Sequence, residues 1–396
     1  MIKPQTLKGF RDFLPKEARK RQYVINTIRS VFESYGFEPL ETPALEYEEV
    51  LLGKYGDEGD KLMYRFEDNG KRKIALRYDQ TVPLARVVAQ YQNDLPMPFK
   101  RYQIQNVWRA ENTQKGRFRE FLQIDADIVG TSSPLSDAEI IAITIKSLEK
   151  LGIKNFKILI NDRSVFKDIP LEAISALDKL KKIGEENVSR EMVSKGISEE
   201  KARDILGKIK SQEPTEIINN CSQILKNLGI DENVLKFEPT LARGLNYYTG
   251  LIFEAEIEGY DAGSIAGGGR YDDLIGMFAG RRIPAVGFAF GFDRLMEALE
   301  QFDLFPKELS SVKALVMISD NKEKSLEVYK KLREENISCE IYLDEEDKLE
   351  KQLKYADKKN IPYSIIVQEN SLSLKDMEKR EQKEISIDEL IKQLNN

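Results

Sequence analysis

Between Phe118 and Gly130 the chain reads FREFLQIDADIVG, and its side chains alternate with a period of two. Phe118, Leu122, Ile124, Ala126 and Ile128 share one parity, and Arg119, Phe121, Gln123, Asp125 and Asp127 share the other. Successive residues of a β-strand point to opposite faces, so the segment reads as a strand with one face turned to a core. The polar row on the other face is either solvent-facing surface or the wall of a cleft. Polar residues in the flanking strands favour the cleft.

The remaining segments surround that strand. After Pro15, apolar residues at Val24, Ile25, Ile28, Val31, Phe32 and Tyr35 recur at spacings of three and four. They predict an amphipathic helix ended by Gly36. FEPLETPALEYEEVL, with Pro39 and Pro43, reads as an extended edge or interface segment. A helix is expected over 136–151. The Lys/Glu-rich stretch 164–232 reads as a helical insertion between two strand-rich regions. Strands resume near 237 and run through LIFEAEIEG, and GFAFGFDRLMEAL reads as a strand leading into a helix.

Toward the C-terminus, VKALVMI, SCEIYL and YSIIVQ are short apolar strands. Helices carrying Leu326, Tyr329 and Leu332, then Leu349, Leu353 and Ala356, separate them. Strands alternating with helices predict a small α/β domain with a mainly parallel sheet. The expected division is 1–163 and 233–303 as two parts of one core, 164–232 as the insertion, and 312–396 as the terminal domain. FDLFPKELSS supplies the Pro-containing linker.

Composition excludes more than it proposes. Hydrophobic residues make up 41% and charged residues 32% of 396 positions, enough to build a core in each of two domains. No window approaches the roughly 18 uninterrupted apolar residues of a membrane span. MIKPQTLKGFRDFLPKEARKRQ also lacks the apolar centre of a secretory signal. Cys221 and Cys339 each stand alone, which fits a reducing cytoplasm and excludes a thiolate zinc site or a disulfide framework. A net charge of −6 means that any nucleic-acid contact must come from local Lys and Arg patches. Histidine is absent altogether. Ser-His-Asp and Cys-His catalysis, imidazole metal ligands and histidine bases are therefore impossible. The chemistry must rest on Arg, Lys, Asp, Glu, Tyr and backbone groups, with no metal site of the protein's own expected.

Nucleotide handling, if present, is not of the P-loop or dinucleotide-fold kind, because neither GxxxxGKS nor GxGxxG after a strand occurs. Gly267, Gly268 and Gly269 in AGGGRYD serve either a tight turn or close approach of backbone to a ligand. Arg109 in VWRAENTQKGRFREF, Arg243 in LARGLNYYTG and Arg294 in FGFDRL lie among apolar or small residues. An unpaired guanidinium is costly to bury there, so each belongs to a structural salt bridge or to a polyanion clamp.

WRAENTQKGRFREF resembles motif 2 of class II aminoacyl-tRNA synthetases, GFAFGFDRL resembles motif 3, and the helix leading into Pro43 is similar to motif 1. LARGLNYYTG and SIAGGGRYDDL resemble the signature pair of the histidyl-tRNA synthetases, which GFRDFLP and LRYDQTVPLAR also match. The resemblance runs from about residue 8 to the C-terminus. It implies an α+β fold, with the class II antiparallel sheet flanked by helices, a helical insertion and a C-terminal α/β anticodon-binding domain. The implied activity is ATP-dependent activation of L-histidine, with Mg²⁺ accompanying ATP, and transfer to tRNA(His). The implied setting is a cytoplasmic homodimer joined through motif 1.

The same resemblance implies residue roles. Arg109 and Arg294 grip the ATP phosphates, with Glu111 near the nucleotide. Arg243 and Arg109 are the catalytic pair, Arg243 contacting the histidine carboxylate and the α-phosphate as pyrophosphate leaves. Asp79, Thr81 and Gln123 hold the α-amino group. Asp127 and Tyr248 orient the imidazole, and Tyr247 and Tyr271 line the pocket. Gln114, Lys115, Gly116, Arg117 and Arg119 form a basic loop for the acceptor end of the transfer RNA.

The residues agree with these roles at one point: Gln123 and Asp127 share a strand face. A neutral imidazole has one donor and one acceptor nitrogen, which a carboxylate and a phenol can satisfy together. An apolar amino acid would leave those groups unpaired, a basis for roughly 10⁴-fold rejection without an editing domain. Three features depart from the pattern: Asn246 replaces the usual Asp of RGLDYY, Leu122 replaces a commoner His or Tyr, and the stretch QENSLSLKDMEKREQ is short. The alternative is a non-catalytic histidine-sensing paralogue such as the regulatory subunit of ATP phosphoribosyltransferase. That class generally lacks the terminal domain and the arginine of RGLxYY, both of which are present here.

Overall fold

The alternating segment forms the second of two long, fully paired strands in an eight-stranded sheet. The strands are β1 (Glu38–Pro39), β5 (Phe99–Trp108), β6 (Glu120–Val129), β7 (Phe156–Asp162), β8 (Leu235–Phe237), β9 (Leu251–Ile257), β10 (Ala266–Arg270) and β11 (Ala285–Gly291). Their spatial order is β1-β5-β6-β11-β10-β9-β7-β8. The computed structural model describes residues 2–52, 62–113, 117–243, 247–306, 309, 312–318, 321–369 and 371–395. Contacts divide the chain into two units, Met1–Phe305 and Pro306–Asn396.

Pairing is antiparallel from β5 through β7, as expected, but each outer strand joins its neighbour in parallel. The reason lies in the connections, because parallel neighbours need a long crossover. The helical insertion links β7 to β8. A separate antiparallel sheet of β2 (Leu45–Tyr47), β4 (Lys73–Leu76) and β3 (Arg65–Glu67) lies between β1 and β5 in sequence. The segment FEPLETPALEYEEVL is thus extended only as far as Tyr47. Glu48–Leu52 is helical, with two glutamates in its first turn complementing the helix dipole and Leu51 buried.

The apolar face of β6 faces the main core. Leu122, Ile124, Ala126 and Ile128 cluster with Val24, Ile28 and Phe32 of helix Pro15–Ser34 and with Ile140 and Ile141 of helix Pro134–Lys150. Each fully buried Leu, Ile, Val or Phe side chain contributes about 1.5–3 kcal/mol. The first helix ends before Gly36, whose φ of +74° favours a residue without a Cβ. The second begins at Pro134, capped by Ser133, whose hydroxyl accepts from the Leu135 amide. Most helices between 164 and 232 share a second cluster with Leu159, Leu241 and Ile252. Helix Glu216–Asn227 instead buries Ile218, Cys221 and Leu225 in the main core. No described helix is long and apolar enough to cross a membrane.

The second unit has a five-stranded sheet in the order β13 (Cys339–Ile341), β12 (Ala314–Val316), β14 (Tyr363–Val367), β15 (Leu372–Asp376) and β16 (Gln382–Glu384). The expectation of a mainly parallel sheet holds for β13-β12-β14 and fails beyond it, where pairing is antiparallel. Only short turns connect β14 to β15 and β15 to β16, and a short turn can join only antiparallel strands. The stretch QENSLSLKDMEKREQ contains β15.

Candidate active site

Strand register sets the polar face of the sheet in rows. Arg101 of β5 lies opposite Asp127 of β6, which lies opposite Gly287 of β11. In the next row come Gln103, Asp125, Ala289, then Gly267 of β10 and Glu254 of β9. Gln105, Gln123 and Gly291 form the third. Long polar side chains stand on β5 and β6, while β11 and β10 carry small residues on the same face, so a hollow opens above them. Asp125 and Asp127 are each only 3% exposed and Gln123 7%, so the polar row is a cleft wall and not solvated surface.

Asp127 is held from three sides. Arg101, itself fully buried, places Nη2 2.7 Å from Asp127 Oδ2, and the Tyr271 hydroxyl donates to Oδ1. A Cβ on Gly287 would meet Asp127 Oδ1 at 1.9 Å, so the carboxylate fits only because residue 287 is glycine. Arg101 is supported by a chain of buried amides. Its Nη1 donates to Gln103 Oε1 at 3.3 Å, and Gln103 Nε2 donates to Gln105 Oε1 at 2.6 Å and to Thr42 Oγ1 at 2.8 Å. Burial and the adjacent Asp127 carboxylate push the Tyr271 phenol well above its ordinary pKa, keeping it a proton donor.

Asp125 accepts from Gln123 Nε2 at 2.9 Å through each of its oxygens. Burial raises its pKa to about 7, the Arg101 charge and the Gln123 hydrogen bond lower it, and Asp127 and Asp79 raise it.

Arg243 enters from the opposite side. It adopts φ +38°, a left-handed conformation uncommon for a residue with a Cβ, and is thus a strained position on the cavity wall. Its Nη1 donates to the Phe253 carbonyl at 3.3 Å and lies 3.4 Å from Glu254 Oε1. Tyr248 lies beneath the guanidinium, 5.6 Å from ring centre to Cζ. A Cβ on Gly267 would meet Nη1 at 1.4 Å. The triple glycine is therefore part of strand β10, and the group that approaches its backbone is the chain's own arginine. Gly267→Ala is expected to lower any turnover that depends on this cavity at least about tenfold while shifting thermal unfolding little. The clash falls on the tip of a flexible side chain, which moves aside and leaves its place against β10. Steady-state kinetics beside a melting curve checks this.

Asp79 and Thr81 lie at the start of helix Thr81–Gln90, where Asp79 Oδ1 accepts from the Val82 amide at 3.2 Å. Arg109 follows β5 directly. Its Nε donates to the Tyr78 carbonyl at 3.1 Å, and its guanidinium lies 5.0 Å from the Phe121 ring centre. Together with Gln123, Asp127, Arg243, Tyr247, Tyr248 and Tyr271, these residues line one cavity of about 130 Å³. Asp125, Gly267, Gly287, Phe288 and Ala289 complete the wall. Arg101 stands behind it.

The other expected residues lie outside that lining. Glu111 meets Arg117 at 3.6 Å. Arg294, in helix Phe292–Gln301, donates to the Ser264 carbonyl at 3.0 Å. Arg117 is exposed, whereas Arg119 turns back, its Nε donating to the Glu111 carbonyl at 3.3 Å and its backbone N–H to the Gly9 carbonyl at 2.9 Å. Gln114, Lys115, Gly116 and Asn246 lie outside the described residues. Tyr271 is the phenol that reaches Asp127, while the Tyr247 hydroxyl donates to that of Tyr248 at 3.2 Å.

Comparison with known proteins adds a family context. The histidyl-tRNA synthetase family profile matches residues 9–199 and 197–295, and the anticodon binding domain profile matches residues 313–396. The histidine–tRNA ligase of Christiangramia forsetii is 40% identical over 98% of this chain and 98% of its own length. That of Wolinella succinogenes is 40% identical over 97% and 96%. The crystal structure of histidyl-tRNA synthetase from Nostoc sp. PCC 7120 superposes with a TM-score of 0.86 at 33% identity, covering 100% of this chain and 99% of that one. A structure from Bacillus halodurans C, named as an ATP phosphoribosyltransferase regulatory subunit/histidyl-tRNA synthetase, reaches 0.71 at 23% identity, a likeness of fold.

Proposed function

The chain belongs to the histidyl-tRNA synthetase family, and we propose that the cavity above β6, β10 and β11 is where it activates histidine. It is a histidine–tRNA ligase, which joins L-histidine to tRNA at the expense of ATP. The observation that carries the site assignment is the convergence of nine side chains, from Asp79 to Tyr271, on one cavity wall.

In the first step a histidine carboxylate oxygen attacks the α-phosphorus of ATP. A bond between that oxygen and phosphorus forms, the bond to the β-phosphate bridge breaks, and pyrophosphate leaves with the electron pair. Negative charge grows on the α-phosphate oxygens, and Arg243 and Arg109 are the cations on the cavity wall that can stabilise it. Mg²⁺ enters with the ATP phosphates as part of the substrate, and Arg294 and Glu111 serve the nucleotide. Asp127, fixed by Arg101 and Tyr271, accepts from an imidazole N–H, with Tyr248 and Tyr247 beside it. Asp79, Thr81 and Gln123 take the α-ammonium group. In the second step a terminal ribose hydroxyl of the tRNA attacks the activated carbonyl and AMP leaves. Exposed Arg117, with Gln114 three positions earlier in sequence, is suited to the acceptor end, and Arg119 to holding the adjoining segment against Glu111 and Gly9.

A homodimer through the segment around Pro43 fits the exposed Leu45 and Tyr47 beside it, and a cytoplasmic setting fits two free, buried cysteines. The histidine-sensing alternative is disfavoured by the presence of Arg243 and of a terminal anticodon-binding segment.

The two steps can be separated. Met1–Phe305 contains the cavity and the main core. A chain ended near residue 312 is expected to form adenylate at a rate within a few-fold of the full protein. Its tRNA charging should fall by about 10² or more, since only that step uses the RNA contacts. Loss of adenylate formation in a folded truncated chain would contradict this division.

A further inference from the structure

Asp125 has no role in the chemistry above, yet it lies on the cavity wall, 3% exposed, between Gln123 and Asp127 on the same strand face. Both its oxygens accept from one group, the Gln123 amide nitrogen. Because both oxygens accept from that nitrogen, the nitrogen end of the Gln123 amide faces Asp125 and the carbonyl end faces away. Among the described residues, no hydrogen bond is made to the Gln123 side-chain oxygen. We propose that Asp125 is a positioning residue that locks the Gln123 amide with its carbonyl oxygen toward the cavity, as an acceptor for the substrate's α-ammonium group.

This rests on the reading of the cavity as the histidine site and adds to it a specific division of labour. Asp79 is held by the Val82 amide, and Gln123 is oriented by Asp125. A free glutamine amide can present either end, and the wrong end places an N–H against an ammonium group. Asparagine at position 125 keeps the shape and loses the selectivity, because its own amide can pair with Gln123 in either orientation.

The experiment measures binding of three ligands to the full-length protein by calorimetry. They are histidine, histidinol (which keeps the amine and lacks the carboxylate) and imidazolepropionic acid (which lacks the amine). Asp125→Asn is expected to weaken histidine and histidinol about tenfold while leaving imidazolepropionic acid within about twofold. In a Gln123→Leu background, Asp125→Asn is expected to change histidine affinity by less than about twofold, because the group it orients is gone. Equal weakening of all three ligands, or a full tenfold loss in the Gln123→Leu background, would overturn the proposal, since either marks a merely structural residue. Failure of the unmodified protein to bind any of the three would overturn the reading of the cavity itself.

Discussion

Arg243→Ala should lower the kcat of adenylate formation about 10²–10³-fold while changing the KM for histidine much less. The expectation follows from how the side chain is held. Its guanidinium lies against Gly267 with no room for a Cβ, and among the described residues its Nη1 contacts the Phe253 carbonyl at 3.3 Å and Glu254 at 3.4 Å. These partners leave the remaining donors available to the cavity. An arginine fixed in this way requires little reorganisation as charge grows on the α-phosphate, and so it acts mainly on the transition state. The left-handed backbone at Arg243 points the same way, since such strain persists only where the surroundings enforce it. Initial rates over a range of histidine concentrations check the split. A change confined to KM would mean that Arg243 binds substrate without assisting the reaction.

The second large effect is on stability. Arg101→Met should destabilise the catalytic unit by about 3–5 kcal/mol, because it leaves Asp127 buried opposite an apolar side chain. Arg101 is fully buried and 2.7 Å from that carboxylate, and its other link is to Gln103. The pair is more than a stabiliser, since the same carboxylate lines the cavity. Adding Asp127→Asn to Arg101→Met should restore much of the loss, because the uncompensated charge is removed while Tyr271 keeps a partner. Trp108 is the sole tryptophan and ends β5, so its fluorescence in a urea titration follows this unit. Equal stability of Arg101→Met and the native protein would contradict the charge-burial argument.

The alternation around β6 was readable because a strand's period is a property of the strand alone. Whether its polar row met water or a cavity was not, because that depends on β5 and β11. Arg101 escaped notice for the same reason: nothing within FKRYQIQNVW shows that its register partner is Asp127. A signal was nonetheless present in AVGFAFG, where Gly287, Ala289 and Gly291 alternate with Val286, Phe288 and Phe290. A strand with one face of small residues beside a strand with one face of carboxylates implies a hollow. The glycines of β10 posed a converse difficulty. A choice between turn and ligand approach omitted the strand in which they lie and the arginine, distant in sequence, that they accommodate. In the second unit, the antiparallel extension was missed because LSLKD and QKE carry too little apolar pattern to announce strands.

The measurement that tests the central claim most directly is exchange of labelled pyrophosphate into ATP, run with each amino acid in turn and with no tRNA present. Adenylate formation in this cavity predicts exchange with histidine and none above background with the others, and its abolition by Arg243→Ala. Tight histidine binding without any exchange, or comparable exchange with an apolar amino acid, would contradict it.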